Sequence, residues 1–225
     1  MAFAAKDVSN LREQTGAGMM DCKRALTETN GDFDAAVKWL RERGMAQASK
    51  RSARVAAEGK VASYIHMGGK IGVLVEVNCE TDFAAHSKPF QEFCHDVCLQ
   101  VCSAVPRWVR REDVPQDALD AEKEIYTVRA RETGKPEKVL PKIVEGMLNK
   151  WYKEVCLLEQ PFVKDPDTTI EDLMNELSGR IGEKIEIRRF ARFQLGEGIE
   201  KPKSNLAQEV AQAVNAAQRA ESENR

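Results

Sequence analysis

The stretch IGVLVEVNCETDF, residues 71–83, decides the fold. Ile71, Val73, Val75 and Val77 alternate with Gly72, Leu74, Glu76 and Asn78, the period of a strand with one face on a core. Thr81, Asp82 and Phe83 then fall in the turn that leaves this strand. An aromatic ring beside an acid in such a turn either folds back as a lid on its own core or is offered to a partner, whose anchors favour large aromatics. Upstream, Val61, Ser63 and Ile65 face one way, Tyr64 and His66 the other, and Met67-Gly68-Gly69-Lys70 is a turn, so the two strands form a hairpin. Downstream, Ser87 and Pro89 open a helix in which Phe90, Phe93, Cys94, Val97, Cys98 and Val101 keep i, i+3, i+4, i+7 spacing up to Pro106. That stripe covers the apolar face of the hairpin, and residues 59–105 make the nucleus of an α+β core.

Residues 5–44 read as three short helices. Val8 and Leu11 edge the first; Asp21 caps a second with Cys22, Ala25, Leu26 and Thr29; Asp32 caps a third with Phe33, Ala36, Val37 and Leu40, stopped by Gly44. The glycine-rich turn TGAGMM places Met19 and Met20 where a surface turn is normally polar. These flexible thioethers either plug a small core or form an adaptable binding surface. The segment 45–58 is rich in Ala and Ser and carries Lys50, Arg51 and Arg54, which reads as a helical connector with a solvated basic face or as a phosphate-binding strip.

Two helices follow over 118–156, separated by Thr133-Gly134-Lys135-Pro136, with Ile143, Met147, Trp151 and Val155 lining one face of the second. Such a hairpin packs within its domain or serves dimerisation or docking. Thr168-x-x-Glu171 resembles a capping box ahead of a helix with Ile170, Leu173, Met174, Leu177 and Ile181, ended by Gly182. KIEIRRFARFQL, residues 184–195, reads as a third strand with Arg188, Arg189 and Arg192 on its wet side and a bulge between Ile187 and Phe190. Past Gly196-Glu197-Gly198, the weak stripe of Leu206, Val210, Ala213, Val214 and Ala217 needs something to dock on.

The balance of charge narrows the function. Lys plus Arg number 34 against 36 Asp plus Glu, so no global field draws the chain to nucleic acid or an anionic membrane. No run approaches the roughly 18 apolar residues of a membrane span, and the opening MAFAAKDVSNLREQ has neither a basic leader nor an apolar signal core, so a soluble, intracellular chain is expected. Of the six cysteines, Cys94, Cys98 and Cys102 stack on one helix face, poorly placed to cross-link one another. They read as reduced core residues; the competing metal reading recruits His95 with Cys98 and Cys102 but lacks a second ligand cluster. The sequence holds no Walker loop, zincin helix or nucleophile elbow, and its three scattered histidines offer no nucleophile and base pair. The expectation is a binder with no cofactor or metal of its own, and not an enzyme.

TGAGMMDCKRAL (15–26), AVKWLRERG (36–44), IGVLVEVNCETDF (71–83), LLEQPF (157–162) and RRFARFQLGEGIEK (188–201) resemble, in order, the motifs of the elongation factor Ts family, the last two in the wording of the short forms of photosynthetic bacteria and plastids. The resemblance implies a ubiquitin-associated-like three-helix domain at 1–45 and a connector at 46–58. It further implies an α+β core at 59–198, with a small antiparallel sheet and the helical hairpin, and a C-terminal helical module or tail at 199–225. It implies a nucleotide exchange factor for elongation factor Tu, in which the T-D-F-V segment, here Thr81, Asp82, Phe83 and Ala84, intrudes beside the partner's Mg2+ and phosphate site. Met19 and Met20 then contact the partner's GTPase domain. Ala84 stands where the family often has Val, and His86 where Arg is common. Because the core holds one copy of the sheet subdomain where longer members carry two, a homodimer is expected to supply the second. The compartment is a bacterial cytoplasm or, alternatively, a plastid stroma or other organelle interior. Two other classes stay open: a ribosome- or RNA-associated protein using Lys50, Arg51, Arg54 and Arg188 to Arg192 on phosphates, and an adaptor using the three-helix domain alone.

Overall fold

The alternation in 59–77 does what its period requires. In the computed structural model, which describes residues 3–51 and 53–199 without the side chains of 45–50, β1 (Glu58–His66) and β2 (Ile71–Cys79) form an antiparallel hairpin. The third strand, β5 (Glu186–Gln194), pairs antiparallel with the free edge of β2, giving the order β1-β2-β5. The register shifts between Glu76 and Val77, which face Arg189 and Ile187, so Arg188 is the extra residue of the expected bulge. Among the described residues, the helices and strands belong to one unit, Met1–Gln194. The stripe expected at Leu206 to Ala217 lies outside the described residues.

One face of the sheet is dry. Val73, Val75 and Val77 of β2 pack beneath α5 (Lys88–Ala104), whose Phe90, Phe93, Cys94, Val97, Cys98 and Val101 are buried. Ser87 occupies the N-cap and Pro89 the first turn, where its missing N–H has no partner to lose. Burial of each such apolar side chain stabilises the fold by about 1.5–3 kcal/mol. Behind α5 a buried amide pair ties three elements together. Gln100 donates to Gln160 Oε1 (3.1 Å) and accepts from the Val163 N–H (2.9 Å), while Gln160 donates to the Glu154 carbonyl (2.7 Å).

The N-terminal helices α1 (Ala5–Thr15), α2 (Met19–Glu28) and α3 (Phe33–Arg51) enclose their own small core of Val8, Leu11, Cys22, Ala25, Leu26 and Ala36. Two expectations change here. The N-cap of α2 is Gly18, and Asp21 lies in the first turn, where its charge suits the helix dipole. Gly44 does not stop α3, which runs on to Arg51. The facing Gly179 of α8 (Ile170–Ile181) packs against it, where a Cβ would come within 3.1 Å of Gly44 Cα.

After α4 (Asp82–Ala85) and α5 comes the helical hairpin, α6 (Gln116–Glu132) and α7 (Leu140–Val155). The buried face of α7 is Val144, Trp151 and Val155, with Leu148 packed alongside, so the seam is rotated by one residue at its start from the expected Ile143. The Trp108 ring meets Trp151 edge-on at 5.8 Å. A two-stranded ribbon, β3 (Pro161–Phe162) and β4 (Asp165–Thr169), then leads into α8. The capping box of α8 is Thr169 and Asp172, one residue beyond the expected pair: the Asp172 N–H donates to Thr169 Oγ1 (3.1 Å) and Asp172 Oδ2 accepts the Thr169 N–H (3.3 Å). Gly182 ends α8 in the left-handed region, φ 85°.

All six cysteines are free and buried. His95, by contrast, is exposed and sits edge-on to Tyr64 at 5.7 Å, so it does not converge with Cys98 and Cys102. Among the described residues no three His, Cys, Asp or Glu side chains are placed to hold a metal ion. Desolvation pushes the thiol of Cys94 up to about 12 and those of Cys79, Cys98 and Cys156 up to about 11. The reactive form is the thiolate, so at pH 8 these four stay protonated and inert. Ellman's reagent is therefore expected to find them unreactive in the folded protein and all six reactive in guanidinium. Rapid labelling of Cys94 before unfolding would show that the core is open.

Candidate partner-binding site

Strand β2 ends at Cys79, and the chain turns at once. Thr81 adopts extended backbone (φ −130°, ψ 149°) and caps α4, its Oγ1 accepting the Ala84 N–H at 3.2 Å. The Cys79 thiol donates to the Thr81 carbonyl at 3.1 Å and the Ser87 hydroxyl to the Ala84 carbonyl at 2.8 Å. Ala84 and Ala85 point into the core, at 2% and 3% exposure. A one-turn helix with its inner face pinned must present the opposite face outward, and that face carries Asp82 and Phe83. Phe83 is 89% exposed. The ring is not a lid on its own core.

Asp82 is paired within the turn. The His86 ring Nδ1 lies 2.8 Å from the Asp82 carbonyl oxygen and 3.2 Å from its Oδ1, so the ring donates from Nδ1 toward both. His86 thus closes the C-terminal end of α4, where a donor to free carbonyls is favourable.

The turn is braced from the far end of the chain. Glu183 follows Gly182, and its Oε2 accepts the N–H groups of Glu80 (3.1 Å) and Thr81 (3.0 Å) while its Oε1 accepts the Thr81 hydroxyl (2.7 Å). The bracket is reciprocal: Glu80 Oε1 accepts the Lys184 N–H at 2.6 Å. Arg54 Nη1 completes it, 3.2 Å from Glu80 Oε1. The Lys184 N–H, then Arg54, hold the Glu80 carboxyl below the usual range. A carboxylate depressed in the fold keeps its bonds at neutral pH and loses them only as pH falls through that lowered value. Neither Glu80 nor Glu183 is legible as a site residue in the sequence, because no local spacing links positions a hundred residues apart, and Arg54, a candidate for phosphate, pairs with Glu80 instead.

Met19 and Met20 begin α2 and are 44% and 68% exposed. They lie on the N-terminal helices, on a separate element from Thr81, Asp82, Phe83 and Ala84, which share one turn. Four of the cations expected on phosphates have partners within this chain. Arg188 Nη1 and Arg189 Nε hold the two oxygens of Glu76 at 2.7 and 2.6 Å, Arg54 holds Glu80, and Arg51 donates to the Ser178 carbonyl at 3.4 Å.

An exposed ring beside a carboxylate on a braced turn, with two exposed thioethers on another element, are side-chain types that protein-binding surfaces favour. Residues 34–197 match the family model described as elongation factor TS. The chain is 58% identical over 214 residues to the elongation factor Ts of Geobacter sulfurreducens, covering 95% of this chain and 99% of that one. It is 56% identical over 216 residues to that of Geotalea daltonii (96% and 100% covered) and 53% identical over 214 residues to that of Desulforamulus reducens (95% and 99%). The chain belongs to the elongation factor Ts family, and with it to translation elongation and protein biosynthesis. Among the described residues no helix is long and apolar enough to cross a membrane.

Proposed function

We propose that this chain is a guanine nucleotide exchange factor for elongation factor Tu, acting through residues 81–84 and supported by Met19 and Met20. Family membership supports the exchange role in general. The observation that carries the finer reading is the orientation of Phe83, a large apolar ring held in solvent by a turn whose Ala84 and Ala85 are drawn into the core. Phe83 wedges between elements of the partner's GTPase domain, Asp82 holds the displaced arrangement, and Thr81 and Ala84 fix the turn from inside. Loops around the partner's Mg2+ then lose their geometry, and GDP loses the metal bridge to its phosphates. No bond is made or broken, so the activity is exchange and not hydrolysis. The RNA-binding alternative is disfavoured by the ion pairs that occupy Arg54, Arg188 and Arg189.

The same reading includes the division into 1–45, 46–58, 59–198 and 199–225, and a bacterial cytoplasm as the place of action, in line with the bacterial relatives. Linkage supplies its test. If the factor weakens GDP binding by some ratio, GDP weakens binding of the factor by the same ratio. Calorimetric titration of elongation factor Tu with this chain is expected to give a much weaker complex in saturating GDP than without nucleotide. Equal affinities would leave an adaptor.

A homodimer belongs to the proposal too. The sheet face opposite α5 carries Val61, Ile65, Leu74 and Phe193, all exposed. Ile65 and Phe193 flank Gly72 across the strands, and Leu74 lies between Ser63 and Ala191, so the apolar groups form one surface on three strands. A second copy of this face is its proposed cover, making the two-sheet core that one chain lacks. Sedimentation is expected to show a dimer that Leu74→Asp converts to a folded monomer. A native chain sedimenting as a monomer at tens of micromolar would remove this part of the proposal.

A further inference from the structure

Glu183 has no part in the proposed contact with elongation factor Tu, yet its carboxylate is the busiest group beside the turn. It takes three hydrogen bonds from Glu80 and Thr81, at 3.1, 3.0 and 2.7 Å. Two of these satisfy backbone N–H groups freed where β2 stops pairing, and the third orients the Thr81 hydroxyl so that its lone pairs face the Ala84 N–H. The chain of bonds therefore runs from Glu183 through Thr81 Oγ1 to the first turn of α4, which carries Phe83. A capping hydroxyl with its proton committed elsewhere is a fixed acceptor.

Glu183 is itself anchored. It follows the left-handed cap at Gly182, and its carbonyl accepts the Ser178 hydroxyl at 2.6 Å. The carbonyl of Ser178 in turn accepts from Arg51, and the neighbouring Gly179 lies against Gly44 of α3, where a Cβ on Gly179 would sit 3.1 Å from Gly44 Cα. The next residue, Lys184, returns a hydrogen bond to Glu80, so both ends of the bracket are tied to the same two loops. A functional group held by such a shell loses activity steeply when the shell is removed.

We propose that Glu183 is a positioning residue for exchange: it sets the direction in which the 81–84 turn presents Asp82 and Phe83, without touching the partner. This rests on the exchange reading above. Three variants, Glu183→Ala, Glu183→Gln and the double variant Glu183→Ala with Phe83→Ala, test it by GDP release from elongation factor Tu, thermal melting and amide hydrogen exchange of residues 80–84. Ala removes all three acceptor contacts and is expected to lower the acceleration about tenfold, as a small misplacement of a reacting or wedging group does. Gln keeps an acceptor for the two N–H groups and donates to Thr81 Oγ1 instead, so it is expected to stay within about threefold of native. The double variant should release GDP no more slowly than Phe83→Ala alone, since Glu183 acts through Phe83. In Glu183→Ala the Thr81 and Ala84 amides should exchange faster, with protection kept in the Gln variant. Native activity in Glu183→Ala, losses that add to those of Phe83→Ala, or unchanged amide protection would each overturn the proposal. A native chain that fails to accelerate release would instead sink the exchange reading, and the amide protection would still decide whether Glu183 holds the turn.

Discussion

Replacing Phe83 by Ala is expected to remove most of the acceleration of GDP release while leaving the protein folded. The ring is 89% exposed and touches no core, so its loss falls among surface substitutions that change stability by about 0.5 kcal/mol or less. In a complex the same ring becomes a central apolar anchor, and truncating such anchors costs about 2–4 kcal/mol, or roughly 30- to 1000-fold. Stopped-flow release of a fluorescent GDP analogue from elongation factor Tu, with the native chain or the variant at equal concentration, measures this. A variant as fast as native would mean that Phe83 is a bystander, and attention would pass to Met19 and Met20.

Seven residues on, the opposite outcome is expected from the same substitution. Phe90 is fully buried beneath the hairpin, the largest side chain to be so among the described residues. Phe90→Ala leaves a cavity between α5 and the sheet that neighbours close only in part, at a cost of about 3–5 kcal/mol. For a chain of this size each kcal/mol lowers the melting temperature by about 2–4 °C, so a drop of about 6–20 °C is expected in calorimetry or circular dichroism. At temperatures where the variant remains folded, GDP release should be near native, because the inner face of α4 rests on Ala84 and Ala85. A melting temperature unchanged by Phe90→Ala would contradict the packing of α5 on the sheet.

Legibility followed the range of each interaction. The hairpin, the α5 stripe, the Ser87 and Gly182 caps and the bulge at Arg188 are written in spacings of two to seven residues, and they were read where they stand. Gly44 misled because a glycine has two uses. It can end a helix or remain inside one, as Gly44 does within α3 beside Gly179, and local spacing does not distinguish the two. The capping box of α8 slid by one residue because Thr168 and Thr169 are adjacent, each with an acid three positions on; Thr168 bonds backwards to Asp165 instead. At the site, the turn bearing Thr81, Asp82 and Phe83 was legible from the end of the strand. Which way Phe83 pointed was not, since it depends on Ala84 and Ala85 being drawn inward. The bracket of Glu80, Glu183, Lys184 and Arg54 had no sequence signal at all: it joins segments brought together only when β5 pairs with β2.

Whether this chain drives GDP out of elongation factor Tu is measured by titrating the native chain into elongation factor Tu loaded with a fluorescent GDP analogue, under excess unlabelled GDP and constant Mg2+. The release rate is predicted to rise with factor concentration and level off far above the spontaneous rate. A rate that stays at the spontaneous value across the titration, with complex formation shown in parallel, would mean that the chain binds without driving exchange.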